Sequence, residues 1–238
     1  MNPEAMKPFG LSLIDYQRGN HDAMLLVYRD DGFIDQIQVS SFFRRADEYD
    51  LDRIALDMCY GKILDAGAGS GLHSLFLQER GFQVCAIDVS IEAVQVMRDW
   101  GVVNVYQVDI LSFNGREFNT ILMMGGGLGM VEDTKGLSRL LKQAHEILAV
   151  GGQILLTSLD VRNTQEELHM TYQQRNIESG RYFGEQRIQF EYDSVRGPIC
   201  GWMHMDFDTL KGYALQEDWR CHLVKQQDDG RYLAQLTG

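Results

Sequence analysis

The segment from Lys62 to Gly71 constrains the fold more than any other part of the chain. Ile63 and Leu64 close a short apolar run and Asp65 follows. Gly67, Gly69 and Gly71 then fall at every second position before Leu72 to Arg80 takes up helical periodicity. A strand that turns over glycines into a helix presents free backbone N–H groups at the helix start. Without Cβ atoms, the turn also lets a ligand approach that backbone closely. A second acid, Asp88, ends the next apolar run, Gln83 to Ile87. That is about the spacing at which an acidic side chain reaches the ribose hydroxyls of a bound nucleoside.

The order of the glycines separates two kinds of ligand. A dinucleotide fold uses G-x-G-x-x-G so that the helix N-terminus receives a pyrophosphate. Here the order is Gly67-x-Gly69-x-Gly71 with Asp65 ahead of it. An acid in that place disfavours a diphosphate and suits a cationic amino-acid end. Downstream, Asn104 to Ile110 reads as a third strand with Asp109 near its end. Asn119 to Met124 reads as a fourth, running into Gly125-Gly126-Gly127-Leu128-Gly129. Lys135 to Ala149 places Leu137, Leu140, Leu141, Ala144, Ile147 and Leu148 on one helical face, and Gly151-Gly152 stops that helix. Gly152 to Ser158 is a fifth strand. Strands alternating with helices, with acids and glycines at strand ends, predict a doubly wound α/β fold around a parallel sheet.

On these residues the chain resembles the class I S-adenosylmethionine-dependent methyltransferases. Asp65, Gly67, Gly69 and Gly71 match the family's first motif, and Asp88 its acid after the second strand. Leu148-Ala149-Val150-Gly151-Gly152 resembles its L-x-P-G-G turn, with Val150 in place of proline. The resemblance implies S-adenosylmethionine as cofactor and S-adenosylhomocysteine as product. It implies cofactor contacts at Asp65, Gly67, Ala68, Gly69, Gly71, Asp88, Val89, Asp109, Ile110, Met124 and Gly125. It also implies a seven-stranded, mostly parallel sheet with one antiparallel strand. The pattern near the C-terminus agrees: a helix from about Thr209 to Trp219, then Cys221 to Gln227 and Arg231 to Leu236 flanking the turn Asp228-Asp229-Gly230. The loop after the fourth strand lacks the N/D-P-P-Y/F pattern of base N-methylation, which argues against adenine or cytosine as acceptor.

Composition narrows the acceptor further. With 22 Lys and Arg against 34 Asp and Glu, the net charge is −12. Nucleic-acid enzymes usually carry a basic face, so DNA is not expected and RNA is a minor prospect. A small, neutral or cationic acceptor fits better. No window approaches the ~20 apolar residues of a membrane span, and Met1 to Gly10 lacks a signal pattern. Cys59, Cys85, Cys200 and Cys221 form no C-x-x-C pair and read as reduced thiols. The expectation is a cytoplasmic enzyme with no membrane partner and no metal, able to form a homodimer.

The chain divides into an N-terminal lid segment (1–60), a cofactor core (61–160), an insertion (161–207) and a C-terminal helix and hairpin (208–238). In the lid, Ala23 to Tyr28 and Phe33 to Val39 flank the hairpin signal Asp30-Asp31-Gly32, and a helix is expected over about 46–59. Tyr16, Phe43 and Arg44 are candidate cofactor or substrate contacts, with packing roles equally open. In the insertion, Ile188, Phe190 and Tyr192 alternate with Glu185, Arg187, Gln189 and Glu191. Ile199 to Phe207 alternates too, predicting a β-hairpin flap on the substrate side. Methyl transfer from a sulfonium needs mainly proximity and a dry site, so a strong catalytic signature is not required. His169, Tyr172 and His204 are candidate bases, and Asp160 and Glu185 candidates to orient an amine. His73 reads as a packing residue, and His145 lies away from strand ends. Two functions stand: a small-molecule methyltransferase, with protein or RNA as the alternative acceptor, and a non-catalytic cofactor-binding module of the same fold.

Overall fold

The computed structural model describes residues 1–238. It opens on helix α1 (Pro3–Gln17), where the Asn2 side chain accepts from the Glu4 N–H at 3.1 Å and Pro3 stands in the first turn. Strands β1 (Met24–Arg29) and β2 (Ile34–Gln38) form the expected hairpin, turned through Gly32 at φ 91°. A 3-10 turn (Val39–Phe42) and helix α2 (Asp50–Met58) lead to the core. There β3 (Lys62–Ala66), α3 (Leu72–Glu79), β4 (Gln83–Asp88), α4 (Ile91–Asp99) and β5 (Val105–Gln107) alternate. After them come β6 (Phe118–Met123), α5 (Thr134–Ile147) and β7 (Leu148–Leu159). The insertion holds α6 (Glu167–Glu178), β8 (Glu185–Tyr192), β9 (Val195–Arg196) and β10 (Cys200–Met203). Helix α7 (Phe207–Gln216) and strands β11 (Arg220–Gln226) and β12 (Arg231–Thr237) close the chain.

The core sheet has seven strands in the order β11-β12-β7-β6-β3-β4-β5. All pairings from β7 to β5 are parallel, and β12 runs antiparallel to both its neighbours. The doubly wound sheet with one antiparallel strand is therefore present. Its central strands are buried on both faces and read as near-continuous apolar runs for that reason. One face packs Leu137, Leu140, Leu141 and Ala144 of α5 and Leu210 and Ala214 of α7 against Leu64, Ile121 and Ile154. The other packs Leu51 and Leu56 of α2 and Leu77 of α3 against Ile63, Leu122 and Leu155.

Three expectations are revised, and helix α1, which carries two prolines and a glycine, is an element the sequence pattern left unannounced. The third strand is shorter than expected, and the crossover from β5 to β6 contains only a 3-10 turn (Ile110–Ser112) capped by the Asp109 side chain. Helix α5 ends at Ile147, ahead of Gly151-Gly152, because β7 already pairs at Leu148 with Phe118. The insertion is more than a flap: α6 precedes its strands, and the strands do not stand alone. Strand β8 pairs with β10 on one side and with β1 on the other, so the N-terminal hairpin and the inserted hairpin form one five-stranded antiparallel sheet. Its inner face, with Leu25, Ile188 and Phe190, packs with Met6, Phe9 and Leu13 of α1. Ala93 and Val96 of α4 join that cluster, so α1 lies between the second sheet and the core. No helix is long and apolar enough to cross a membrane. The four cysteines are buried and unpaired, and burial pushes their thiols up, Cys85 to about 11 and Cys59 to about 12.

Candidate active site at the carboxyl ends of the core strands

The turn after β3 has the conformation its glycines require. Gly67, Gly69 and Gly71 sit at φ 70°, 57° and 85°, a region closed to most L side chains. The Gly67 and Ala68 N–H groups donate to the Ile87 carbonyl at 2.9 and 3.1 Å, which ties the turn to the end of β4. At Gly71 a Cβ would stand 2.7 Å from Met97 Cγ, so α3 starts where only glycine fits. At Gly69 the nearest atom to a Cβ would be the Phe9 ring at 3.4 Å, which sets α1 directly over the turn. Met130, from the loop after β6, reaches Gly67 in the same way.

Both expected acids are buried beneath this turn. Asp65 accepts from Ser74 Oγ at 2.6 Å, and burial raises its pKa. Asp88 accepts from the Gly69 N–H at 3.0 Å on one oxygen and the Ser90 N–H at 2.9 Å on the other. Burial raises its pKa too, opposed by those two backbone donors. A carboxylate has about four acceptor sites, so Asp88 is aimed by the turn and keeps acceptor capacity beyond these two bonds. Asp109 is half-buried, accepts from the Leu111 N–H at 2.8 Å and meets the Met1 amino group. Ile110 is buried in the core, and Val89 packs beside α1. Met124 is buried at the end of β6. Gly125 and Gly126 take φ 64° and 79°, with the Gly126 N–H donating to Thr157 Oγ1 at 3.2 Å. The cofactor candidates of the four strands therefore converge on one edge of the sheet, where open α/β sheets bind ligands.

The remaining candidates divide. Tyr16 stacks on Phe43 at 4.4 Å, and Phe43 meets Trp100 edge-on at 4.7 Å, so both pack the lid against α4. His169 Nδ1 lies 3.0 Å from Arg29, whose guanidinium covers the Tyr172 ring at 4.2 Å and pairs with Asp31. Tyr172 Oη accepts from the Arg187 N–H at 3.0 Å. His169 and Tyr172 thus join α6 to the hairpin. Asp160 pairs with Arg162, and Glu185 accepts from the Thr134 N–H at 3.4 Å, so each already has a structural partner. His145 stacks on Trp219 at 4.2 Å between α5 and α7. His204 differs: its Nδ1 is shut off from solvent without a partner, and burial lowers its pKa to about 4. It sits beside Met205, whose N–H donates to Ser158 Oγ near the end of β7.

Sequence reasoning missed Phe9 and Met130, which reach the turn from distant elements, and Ser74 and Ser90, which serve Asp65 and Asp88 from nearby in the chain. Only Ser90 left a local trace, as the N-cap of α4 accepting from the Ala93 N–H at 3.2 Å. The loop after β6 is also more constrained than a run of glycines suggests. The Asp133 N–H donates to the Val131 carbonyl at 2.8 Å across Glu132, which sits at φ 70° and ψ −45°, a strained γ-turn. Strand β10 rests on this loop: a Cβ at Gly129 would fall within the Trp202 ring, and one at Gly201 would meet Glu132. A groove of about 730 Å³ lies elsewhere, along β3, β4 and β5 between Lys62, Tyr106 and Phe113. It exists because no crossover helix covers that sheet face, and it is at the wrong edge for the motif residues.

The comparisons agree with this geometry. The family described as methyltransferase domain matches residues 36–192, well over half of the chain. An S-adenosylmethionine-dependent methyltransferase from Bacteroides fragilis, solved in complex with S-adenosyl-L-homocysteine, is 31% identical. That match covers 99% of this chain and 96% of the other, with a TM-score of 0.86. A Methanosarcina mazei methyltransferase at 20% identity shares the fold, with a TM-score of 0.57 over 77% of this chain and 94% of its own. The ubiquinone biosynthesis O-methyltransferase of Xanthomonas oryzae pv. oryzae is 28% identical over 113 residues, 44% of this chain and 46% of its own. The chain thus spans less than half the length of the curated relatives it matches. It belongs to the methyltransferase domain family and is of the S-adenosylmethionine-dependent class I type. Its cofactor is S-adenosylmethionine, and the left-handed glycine turn with the Asp88 carboxylate beneath it fits that group.

Proposed function

We propose that this protein transfers the methyl group of S-adenosylmethionine to a small-molecule acceptor by in-line displacement. The cofactor supplies the electrophilic methyl group on its sulfonium. The observation that carries the acceptor class is the second sheet, seated on the loop after β6 through Trp202 over Gly129. Such a roof suits a small acceptor held out of water and leaves little room for a folded polymer. A net charge of −12 points the same way, since phosphate contacts need cations. The curated relative named above is an O-methyltransferase of ubiquinone biosynthesis, which is compatible with a small acceptor.

In this reading Asp88 and the glycine turn orient the cofactor, while Trp202, Phe190 and Met130 exclude water. Among the candidate bases His204 alone keeps a ring nitrogen without a protein partner, and with its pKa lowered to about 4 it is a hydrogen-bonding group for the acceptor rather than a strong base. Two measurements test the function. Calorimetry with S-adenosylmethionine, S-adenosylhomocysteine and NADH is expected to give micromolar affinity for the first two alone. Transfer of labelled methyl is then followed with pools of small phenols and amines, with RNA and with protein. Label on small molecules supports the reading; label only on polymer overturns the acceptor class.

A further inference from the structure

Part of one face of the core sheet stays open to solvent. The crossover from β5 to β6 holds only a 3-10 turn, so no helix covers β3, β4 and β5 on the side that α5 and α7 cover elsewhere. Lys62, Gln83 and Cys85 stand on this face with Leu64, as the parallel register of Lys62 with Gln83 and Leu64 with Cys85 requires. Tyr106 pairs with Ile87 and stands there too. Phe113, from the loop that replaces the helix, meets Phe118 at 5.8 Å. These residues bound the groove of about 730 Å³, an ordinary size for a small-molecule site. Its floor, made by Cys85, Phe113 and Phe118, is buried and continuous with the main core. The Tyr106 ring, 53% exposed, stands at its side.

The charge of this groove runs against that of the protein. The chain has 34 Asp and Glu against 22 Lys and Arg, yet no acid lines the groove, and Lys62 is its one charged side chain. The Lys62 ammonium lies over the Phe118 ring at 4.2 Å and donates to the Arg116 carbonyl at 3.2 Å. Those two contacts hold it at the edge of the apolar floor, beside a ring and a carbonyl rather than a carboxylate. An ammonium has three donors, so it keeps capacity for an anion. The other polar groups are neutral amides. Asn104 and Gln107 donate to the carbonyls of Val84 and Val89 at 3.2 and 3.1 Å, which ties them to the backbone. A fixed cation beside three aromatic rings, with no acid near it, is complementary to a flat ring that carries a negative charge. A polymer of phosphates would need a row of cations, which one lysine does not supply.

We propose that this groove is a second small-molecule site, for planar aromatic carboxylates, in which Lys62 binds the carboxylate and Tyr106, Phe113 and Phe118 receive the ring. Calorimetry of the full chain with 2-naphthoate and with 2-naphthamide, its neutral counterpart, tests it. The expected dissociation constant for 2-naphthoate is on the order of 1 mM or tighter, as suits a ligand of that size. The wild-type protein should prefer it over the amide by about 5- to 30-fold, the range of one charge-assisted hydrogen bond at a partly exposed site. Lys62→Met should bring that preference within about twofold while Lys62→Arg keeps most of it, since only the charge is at issue. Tyr106→Ala should weaken both ligands alike by about threefold, the loss of one ring contact. Both positions are at the surface, so the variants are expected to fold. Equal affinity of the wild-type protein for the two ligands, or binding of neither, overturns the proposal. So does a preference that persists in Lys62→Met, because the carboxylate would then be held elsewhere. Light scattering of the free protein adds the remaining outcome. A dimer that both Lys62→Met and Tyr106→Ala dissociate would show that a second copy covers the groove, and the small-molecule site would fall.

Discussion

At the scale of single residues, the site is a set of buried polar groups whose partners are mostly backbone. Asp88 is aimed by two N–H donors, and Asp65 by one serine. These arrangements explain why both carboxylates tolerate burial that would otherwise be costly. His204 has no such support, and its burial is expressed in its pKa, lowered to about 4 from about 6.5. The unfolded chain takes up a proton near pH 6.5 that the folded chain refuses until about pH 4. This residue's effect on stability is therefore absent above pH 6.5 and grows unfavourable as the pH falls through that window. The expected loss is on the order of 1–3 kcal/mol by pH 4. Urea midpoints of the wild-type protein and His204→Gln, measured at pH 7 and pH 5, should differ in slope by that sense. Parallel pH dependences would show that the imidazole is not buried as described.

At the scale of elements, the loop after β6 and the start of α5 show local preference being overruled. Gly136 lies in the first turn of a helix, where alanine would normally be favoured by about 1 kcal/mol. Its amide donates to the Asp133 N-cap at 2.7 Å, and a Cβ there would stand 1.8 Å from the Val131 carbonyl. That carbonyl is fixed by the γ-turn at Glu132, so it cannot yield cheaply. Gly136→Ala is accordingly expected to destabilise by at least ~2 kcal/mol, a loss of about 4–8 °C in Tm at this chain length. A Tm that rises on substitution would mean that propensity wins and that the turn is not rigid. The same loop carries β10, so element and roof are coupled through Gly129 and Gly201 rather than through any sequence-local signal.

At the scale of the whole molecule, the lid and the insertion complete one another. Leu26 pairs with Glu191 and Arg29 with Ile188, joining segments some 160 residues apart into one sheet. Helix α1 fills the space between that sheet and α4, with Gly10 pressed on Ser90. Removing residues 1–45 would leave α2 on the seven-stranded sheet while exposing an unpaired β8 edge and the apolar face of α4. Such edges template association. The shortened chain should keep its core circular dichroism, self-associate in light scattering and bind S-adenosylhomocysteine at least tenfold more weakly, since Phe9, which lies over the glycine turn, goes with the deletion. A monomeric fragment of unchanged affinity would show the lid to be dispensable.

The sequence by itself determined the parallel core, the glycine turn with Asp65 and Asp88, and the first and last hairpins with their turns at Gly32 and Gly230, whereas the inserted hairpin turns at Asp193 and Ser194, ahead of Gly197 and Pro198. Each of these is written in short-range pattern: alternation, periodicity, and glycine where φ must be positive. Tertiary structure alone decided which candidate side chains are free to act. By sequence His169, Tyr172, Tyr16, Phe43 and Arg44 stand level with His204, and packing and pairing partners in the folded chain separate them. It also decided that two hairpins make one sheet, because a strand's partner is set by which edges the core brings together. The β5-to-β6 crossover shows the same limit from the other side. Nothing in Ile110 to Ser112 forbids a longer helix locally, and only the exposed face of the finished sheet shows that none was built.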